Sequence, residues 1–324
     1  MIRLSALIIC ILGLIGDVSA QSLPTIRVGW TIPDGEAKYW MLRRPDDFPG
    51  LGKTYKVEWQ QVQGTSVSAQ ALAAGALDCA TLGVLPVAQG VSTGSMDLYI
   101  IAQHVGEKPG GFSVYWAVKE DSPIKTIADL KGKTVGINAL GSGIQGPFSF
   151  LLKRNGLDPD KDIKLVEVGF AIAEDAIRTG RVDAAAFVQP FAGRAESKGG
   201  LRKLLSLGDA VPNIVHLVEV CRKDFADKNP ELVRAYIRDL THAMNKTLAD
   251  RSETMKVVNE TMKVPVPVLD TFILKSNDFS RPPGAAADYS AIQKMFDIYS
   301  DAGQLTKPVD IKTLKHPTLF APIE

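Results

Sequence analysis

Cysteine is scarce in this chain. Cys10, Cys79 and Cys221 are the three present in 324 residues, too few for the disulfide framework that staples small secreted domains. Cys79 and Cys221 either pair or stay buried as small apolar residues, and unpaired burial is the expectation. Histidine is nearly as rare. His104, His216, His242 and His316 show no metal-ligand spacing, so no metal and no other cofactor is expected. An excess of one charge is missing too. The 37 basic residues face 36 acidic ones, a net +1, which excludes the basic field of a nucleic-acid binder. There is no Gly-x-Ser-x-Gly nucleophile elbow. Gly52-Lys53-Thr54 fails as a P-loop, because Asp47 stands where the first glycine belongs and a strand follows. Past the first twenty residues no apolar run has membrane-spanning length. Internal repeats, low-complexity segments and long linkers are absent as well.

What is present begins with an export signal. Arg3 supplies a basic start, residues 4–15 are almost wholly apolar, and Val18-Ser19-Ala20 offers small residues before Gln21. That is the layout of a cleaved signal peptide, and cleavage after Ala20 would deliver the rest of the chain to the periplasm. A membrane anchor is the competing reading, but an apolar run of about 12 residues is shorter than a transmembrane helix needs. Ile9 before Cys10 is too bulky for a lipid-attachment site. The remaining chain of about 304 residues exceeds what one core ordinarily serves, so two domains are expected.

Along that chain short β-rich runs alternate with helical patterns. Strands are predicted over 26–30, 55–62, 78–82 and 98–102, with helices over 66–75 and 85–92 between them. A second series follows 112–118, with strands at 134–138, 163–168, 184–188 and 203–207 and helices at 144–155, 173–179 and 191–198. Such alternation predicts an α/β class fold built on mainly parallel sheets flanked by helices. Residues 214–221 read as a further strand. From Asn229 the character becomes helical, with Asn229 as N-cap, Pro230 at the first position and Leu232, Ala235, Tyr236 and Leu240 at helical spacing. Residues 251–261 and 286–302 look helical as well. The arrangement that suits this order has two lobes. Residues 21–118 and a helical tail, 222–324, form one lobe, and 119–221 form the other. Two crossings near 118–121 and 220–222 then make a two-strand hinge over a cleft, where ligands favour the carboxyl ends of parallel strands.

Three stretches carry a resemblance. Gln63-Gly64-Thr65-Ser66 leads into Ala71-Leu72-Ala73-Ala74-Gly75-Ala76-Leu77-Asp78. The stretch from Ala117 through Asp121-Ser122-Pro123 to Asp129-Leu130-Lys131-Gly132-Lys133-Thr134-Val135-Gly136 is the most specific. Gly180-Arg181-Val182-Asp183-Ala184-Ala185-Ala186 ends in Gln189-Pro190-Phe191. Together they resemble the substrate-binding proteins of sulfonate, taurine and nitrate ABC importers, which have the type II periplasmic-binding fold. The resemblance spans roughly residues 25–260 and implies a ligand-binding protein rather than an enzyme. Its implied partners are a small organic anion and the transmembrane subunits of an ABC permease, with the binding protein itself a monomer.

The candidate ligand residues follow from that cleft. Gly64, Thr65 and Ser66 open a predicted helix in the first lobe, and Gly141, Ser142 and Gly143 do so in the second. Helix N-termini offer unpaired N–H groups and partial positive charge to an anion. The same hydroxyls serve equally as helix caps. Gln145 adds an amide. The second loop lacks the Ser-Thr pair usual in sulfonate binders, which leaves sulfonate and carboxylate, including aromatic carboxylate, both open. Trp30, Ile32 and Asp34 follow the first strand, with Trp30 either a stacking wall or a core residue. Gly83, Val84 and Pro86 follow the third strand. His104 follows the fourth and either faces the anion or is structural. Gln189 and Phe191 lie where the resemblance puts a second-lobe ligand loop.

Two other readings compete. Gly141-Ser142-Gly143-Ile144-Gln145-Gly146 matches G-x-G-x-x-G, with Glu167 near the position of a ribose-binding acid. That would suit a nucleotide-dependent oxidoreductase, although Pro147 enters early and the motif sits mid-chain. Thiamine-precursor binding or processing is the other. Asn245-Lys246-Thr247 and Asn259-Glu260-Thr261 match the glycosylation pattern by chance, within predicted helices.

Overall fold

The structure, a computed structural model, describes residues 22–31, 37–211 and 213–319. The expected export signal, Ile32 and Asp34 lie outside the described residues. The first sheet draws on β1 (Thr25–Thr31), β2 (Lys56–Val62), β3 (Cys79–Gly83) and β4 (Leu98–Gly106), with α1 (Lys38–Arg43), α2 (Thr65–Ala73) and α3 (Val84–Thr93) between them. The second uses β5 (Tyr115–Lys119), β6 (Thr134–Ile137), β7 (Lys164–Glu167), β8 (Ala184–Phe187) and β9 (Leu201–Ser206). Its helices are α4 (Gln145–Arg154), α5 (Ala173–Arg178) and α6 (Phe191–Lys198). Then come β10 (Val215–Arg222), α7 (Lys223–Lys228), α8 (Pro230–Ala249), α9 (Arg251–Met262), α10 (Val266–Leu269) and α11 (Tyr289–Asp301).

The strand orders are β2-β1-β3-β10-β4 and β7-β6-β8-β5-β9. β1 pairs in parallel with β2 and β3, and β6 with β7 and β8. β10 lies antiparallel between β3 and β4, and β5 antiparallel between β8 and β9. Each sheet is therefore mainly parallel, with one antiparallel strand next to its edge. This is the two-lobed α/β architecture expected.

The crossings differ from expectation. β5 already belongs to the second sheet and β10 to the first, so the chain passes between sheets in 107–114 and 207–214, rather than near 118–121 and 220–222. A crossing strand carries the same apolar pattern on both sides of a hinge, and only its pairing reveals which sheet it completes. The crossings are fastened to each other at both ends. Glu107 N–H donates to Ile214 O (2.9 Å) and Leu207 N–H to Val114 O (3.0 Å). A third segment leans on them. Gly106 N–H donates to Ser280 O (2.9 Å), and a Cβ on Gly111 would sit 1.9 Å from Asp278 O.

Alternation along β1 sends Ile26, Val28 and Trp30 into a core shared with α1 and α8. Gly29 faces Leu77 and Ala80 on the other side. Cys79 and Cys221, opposite each other on β3 and β10, are fully buried and also disulfide-bonded; unpaired burial was the wrong half of the alternative. α1 has no amphipathic period in the sequence, since Lys38, Tyr39, Trp40 and Met41 are all buried. Asn229 precedes α8 with Pro230 in its first turn, but it makes no cap bond. Its Nδ2 donates to Phe225 O (2.9 Å) instead. Asn245 and Asn259 likewise use their side chains inside the fold, on Gly284 N–H and Val264 O.

His216, at the start of β10, is buried. Its Nδ1 has no hydrogen-bond partner among the described residues. Burial pushes the ring down to about 4 from 6.5. A buried neutral imidazole resists protonation, so as pH falls the unfolded chain takes up the proton first. The stability tied to this ring is intact above pH 6.5 and is lost between 6.5 and 4, at a cost on the order of 3 kcal/mol. Urea-unfolding midpoints should fall across that window, and His216→Gln should flatten the fall; an unchanged slope in the variant would remove His216 as its source.

Candidate functional site

The carboxyl ends of β2, β6, β7 and β8 converge from the two sheets on a cavity of about 320 Å³. Gln61, Val62 and Gln63 line it from the first lobe, and Asn138, Phe170 and Phe191 are among the residues that face them from the second. Among the described residues its chemistry is three neutral amides and two aromatic rings, the mixture of apolar wall and few polar groups that small-molecule sites use. Among the described candidates from the sequence, Phe191 is the one that lines this cavity. Gln61, Asn138 and Phe170 were missed. Each stands at or just past the end of a predicted strand, and the strand-end rule applied to every strand would have found them.

Beside the cavity the two lobes touch backbone to backbone at Gly83 and Gly143. A Cβ built on Gly83, before α3, would lie 2.4 Å from Gly143 Cα, and one on Gly143 would lie 2.7 Å from Gly83 Cα. Gly143 N–H donates to Thr65 Oγ1 at 3.0 Å across the same seam. Gly64 approaches Asn138 and Ala139, where a Cβ would stand 3.1 Å from each. A few residues on, Gly146 in α4 faces Leu85 of α3 and Tyr299 of α11, both 2.9 Å from a Cβ placed there. Leu85, Ile144, Phe148 and Tyr299 belong to one apolar cluster that runs through both lobes, so α11 in the tail touches both lobes rather than only completing the first.

The polar groups of the second-lobe loop hold the loop itself. Ser142 Oγ donates to Asn138 Oδ1 (3.0 Å), and Gly141 N–H donates to Gln145 Oε1 (2.6 Å). Glu167 Oε1 accepts from Leu140 N–H (2.9 Å). The dinucleotide-like glycine spacing thus has a packing cause. Gly141 adopts φ +72°, where glycine is favoured. Gly143 and Gly146 make the close approaches just described. Gln189 also turns inward, its Oε1 accepting from Gly193 N–H (3.1 Å) in the first turn of α6.

The remaining candidates are spread out. Ser66 and Gly141 line an outer groove of about 600 Å³ with Pro86, on the side of α2 and α3. Val84 is buried as the first residue of α3. Trp30 is a core residue, edge-on to Tyr39 with ring centroids 5.5 Å apart. His104 is fully buried within the first lobe, its Nε2 3.0 Å from Glu219 Oε2. It therefore faces Glu219 inside the lobe rather than the interlobe cavity. Glu219 also takes Lys38 Nζ (2.7 Å) and the Tyr236 hydroxyl (2.8 Å). Burial holds His104 below its usual value, while Glu219 is held below the usual carboxylate range because the Lys38 ammonium and the His104 hydrogen bond outweigh its burial. This is a buried, paired charge cluster, and removing one partner from such a cluster is costly.

Two lobes completed by exchanged strands, with a cavity where strand ends from both meet, define the type II periplasmic-binding fold. The chain belongs to the NMT1/THI5-like family, whose model matches residues 52–254. It is 26% identical over 257 residues to the aliphatic sulfonates-binding protein of Escherichia coli (strain K12), covering 79% of this chain and 78% of that one. Among solved structures it is similar to the alkanesulfonate-binding protein SsuA from Xanthomonas axonopodis pv. citri, bound to MOPS. That match has a TM-score of 0.73 at 22% identity, over 91% of this chain and 99% of that chain. The periplasmic nitrate-binding protein NrtA from Synechocystis PCC 6803 follows the same fold, with a TM-score of 0.70 at 16% identity, over 90% and 85% of the two chains. These relatives are named for binding, none for catalysis, and their structures match in fold.

The glycine seam generates a test. Gly83→Ala places a methyl group inside contact distance of Gly143 Cα and should hold the lobes apart. Small-angle X-ray scattering of the variant should give a larger radius of gyration than the parent; identical profiles would mean that the seam does not govern closure.

Proposed function

We propose that the chain is the extracytoplasmic solute-binding component of an ABC importer, and that it captures a small organic anion, a sulfonate or a carboxylate, in the interlobe cavity. The observation that carries this reading is the cavity itself, lined by Gln61, Gln63 and Asn138 and by the rings of Phe170 and Phe191, with contributions from both lobes. Its roughly 320 Å³ lies at the small end of ligand sites. The amides supply hydrogen-bond donors to oxyanion oxygens, and the rings accept an alkyl or aromatic remainder. The sulfonate- and nitrate-binding relatives support an anion, and the aromatic walls favour an organic one over bare nitrate.

The mechanism is binding coupled to closure. Ligand entering between open lobes gains the groups of both only when they close, so it shifts the population towards the closed form. The closed form then docks on the permease as a monomer, in the periplasm after export. In this reading the residues flanking the two crossings divide the lobes, and α11 moves with whichever lobe holds it more tightly.

A thermal-shift screen of the mature protein tests this against alkanesulfonates, nitrate, aromatic and aliphatic carboxylates, pyrimidines and nicotinamide dinucleotides. A true ligand at one hundred times its Kd stabilises by about 2.7 kcal/mol. The expected result is a clear shift with one organic anion that shrinks in Asn138→Ala and in Phe191→Ala. A shift with pyrimidines alone would move the protein to thiamine-precursor binding, and one with a dinucleotide alone would restore the oxidoreductase reading.

A further inference from the structure

Among the described residues, none that lines the interlobe cavity carries a charge, yet the proposed ligand is an anion. A cation stands against two of those residues. Arg194 lies in α6 three residues after Phe191, and its guanidinium carbon is 5.6 Å from the centroid of the Phe191 ring. Its Nη2 donates to Ala171 O at 3.0 Å. Phe191 and Ala171 are both cavity-lining residues, so the guanidinium is held by two residues of the cavity wall.

The charge on Arg194 is poorly matched by its neighbours. The nearby carboxylate, Glu174 Oε2, is 3.6 Å from Arg194 Nε. That same carboxylate is closer to two other cations, Arg178 Nε at 2.9 Å and Lys198 Nζ at 3.0 Å. One negative charge is shared by three positive ones, which leaves a local positive surplus around Glu174. The Arg194 side chain keeps 46% of its surface exposed, and no hydrogen bond of its Nη1 is found among the described residues. A guanidinium is weakly hydrated and presents planar pairs of donors that fit carboxylate and sulfonate oxygens.

From this geometry we propose that Arg194 is the residue that makes the cavity select anions. It contacts an oxyanion oxygen while Phe191 and Phe170 take the apolar remainder. The assignment rests on the anion-binding reading given above and adds the residue responsible for it. Part of the same geometry would also arise if Arg194 only fastened the segment at 171 to α6, and the two roles differ in what they discriminate.

Calorimetric titration of the mature protein with matched pairs separates them: butanesulfonate against neutral butanesulfonamide, and benzoate against neutral benzamide. Arg194→Gln should weaken the anions roughly tenfold or more, the scale of one charge-assisted hydrogen bond, and leave the amides unchanged. Arg194→Lys should fall between the two, and the unliganded melting temperature should hold in both variants. Equal anion binding by the parent and Arg194→Gln overturns the assignment and leaves the importer reading standing. Equal losses for anion and amide overturn it in favour of a fastening role. If the parent binds neither anion but binds another solute in the screen, the assignment and the anion reading fall together while the solute-binding reading survives.

Discussion

Each sheet of this protein is completed by a strand that arrives across the hinge. β5 enters the second sheet directly after the first crossing, and β10 enters the first sheet directly after the second. Both run antiparallel to neighbours that are otherwise parallel. A parallel strand is reached by a return connection, whereas a strand fed from the other lobe comes in from the hinge end and must run the opposite way. The two crossings then lie side by side, bonded to each other at Glu107–Ile214 and Leu207–Val114. With the hinge fixed on one side, the carboxyl ends of the parallel strands face each other across a cleft, and the location of the cavity follows from that constraint.

The seam beside the cavity is made largely of backbone. Gly83 and Gly143 touch, Gly64 meets Ala139, and Gly146 admits Leu85 and Tyr299. Side chains at these positions would act as spacers. Their absence brings the N-terminal residue of α2 within one hydrogen bond of the loop before α4, through Thr65 and Gly143. The same absence explains why a glycine pattern that suits a nucleotide's pyrophosphate occurs where two lobes of a binding protein meet. Close backbone approach is the shared requirement, and the sequence pattern reports that requirement rather than what makes the approach.

The elements were legible because their signals are local. The alternation in β1, the Pro230 helix start and the glycine-ended turns all act over a few residues. Site residues were legible only where they coincide with such signals. Thr65, Gly83, Ser142 and Gly143 were found at helix starts and strand ends, although they serve the seam and its loop. Phe191 was found in the cavity wall. His104 and Trp30 lie near the ends of β4 and β1, but both face the side covered by α1 and α8. There Glu219 and Tyr39 occupy them. A two-residue period tells that faces differ and leaves open which face turns to a ligand. Arg194 escaped notice because nothing near it in sequence marks it; its meaning comes from Ala171 and from a carboxylate already shared by two other cations.

By itself the sequence determined the α/β class, the two-lobed division, the order of most elements and the absence of metal spacing or a basic field. These rest on periodicity, turn chemistry and composition, each of which is complete within a short window or a sum. Tertiary structure alone decided where the chain crosses, that Cys79 and Cys221 meet, which glycines form the seam, and that Gln61, Asn138, Phe170 and Phe191 share one cavity. Those are facts of strand pairing and of contacts between the lobes, among residues far apart in the chain, such as Cys79 and Cys221, 142 positions apart. Pairing partners are chosen by the whole sheet, so no local pattern carries them.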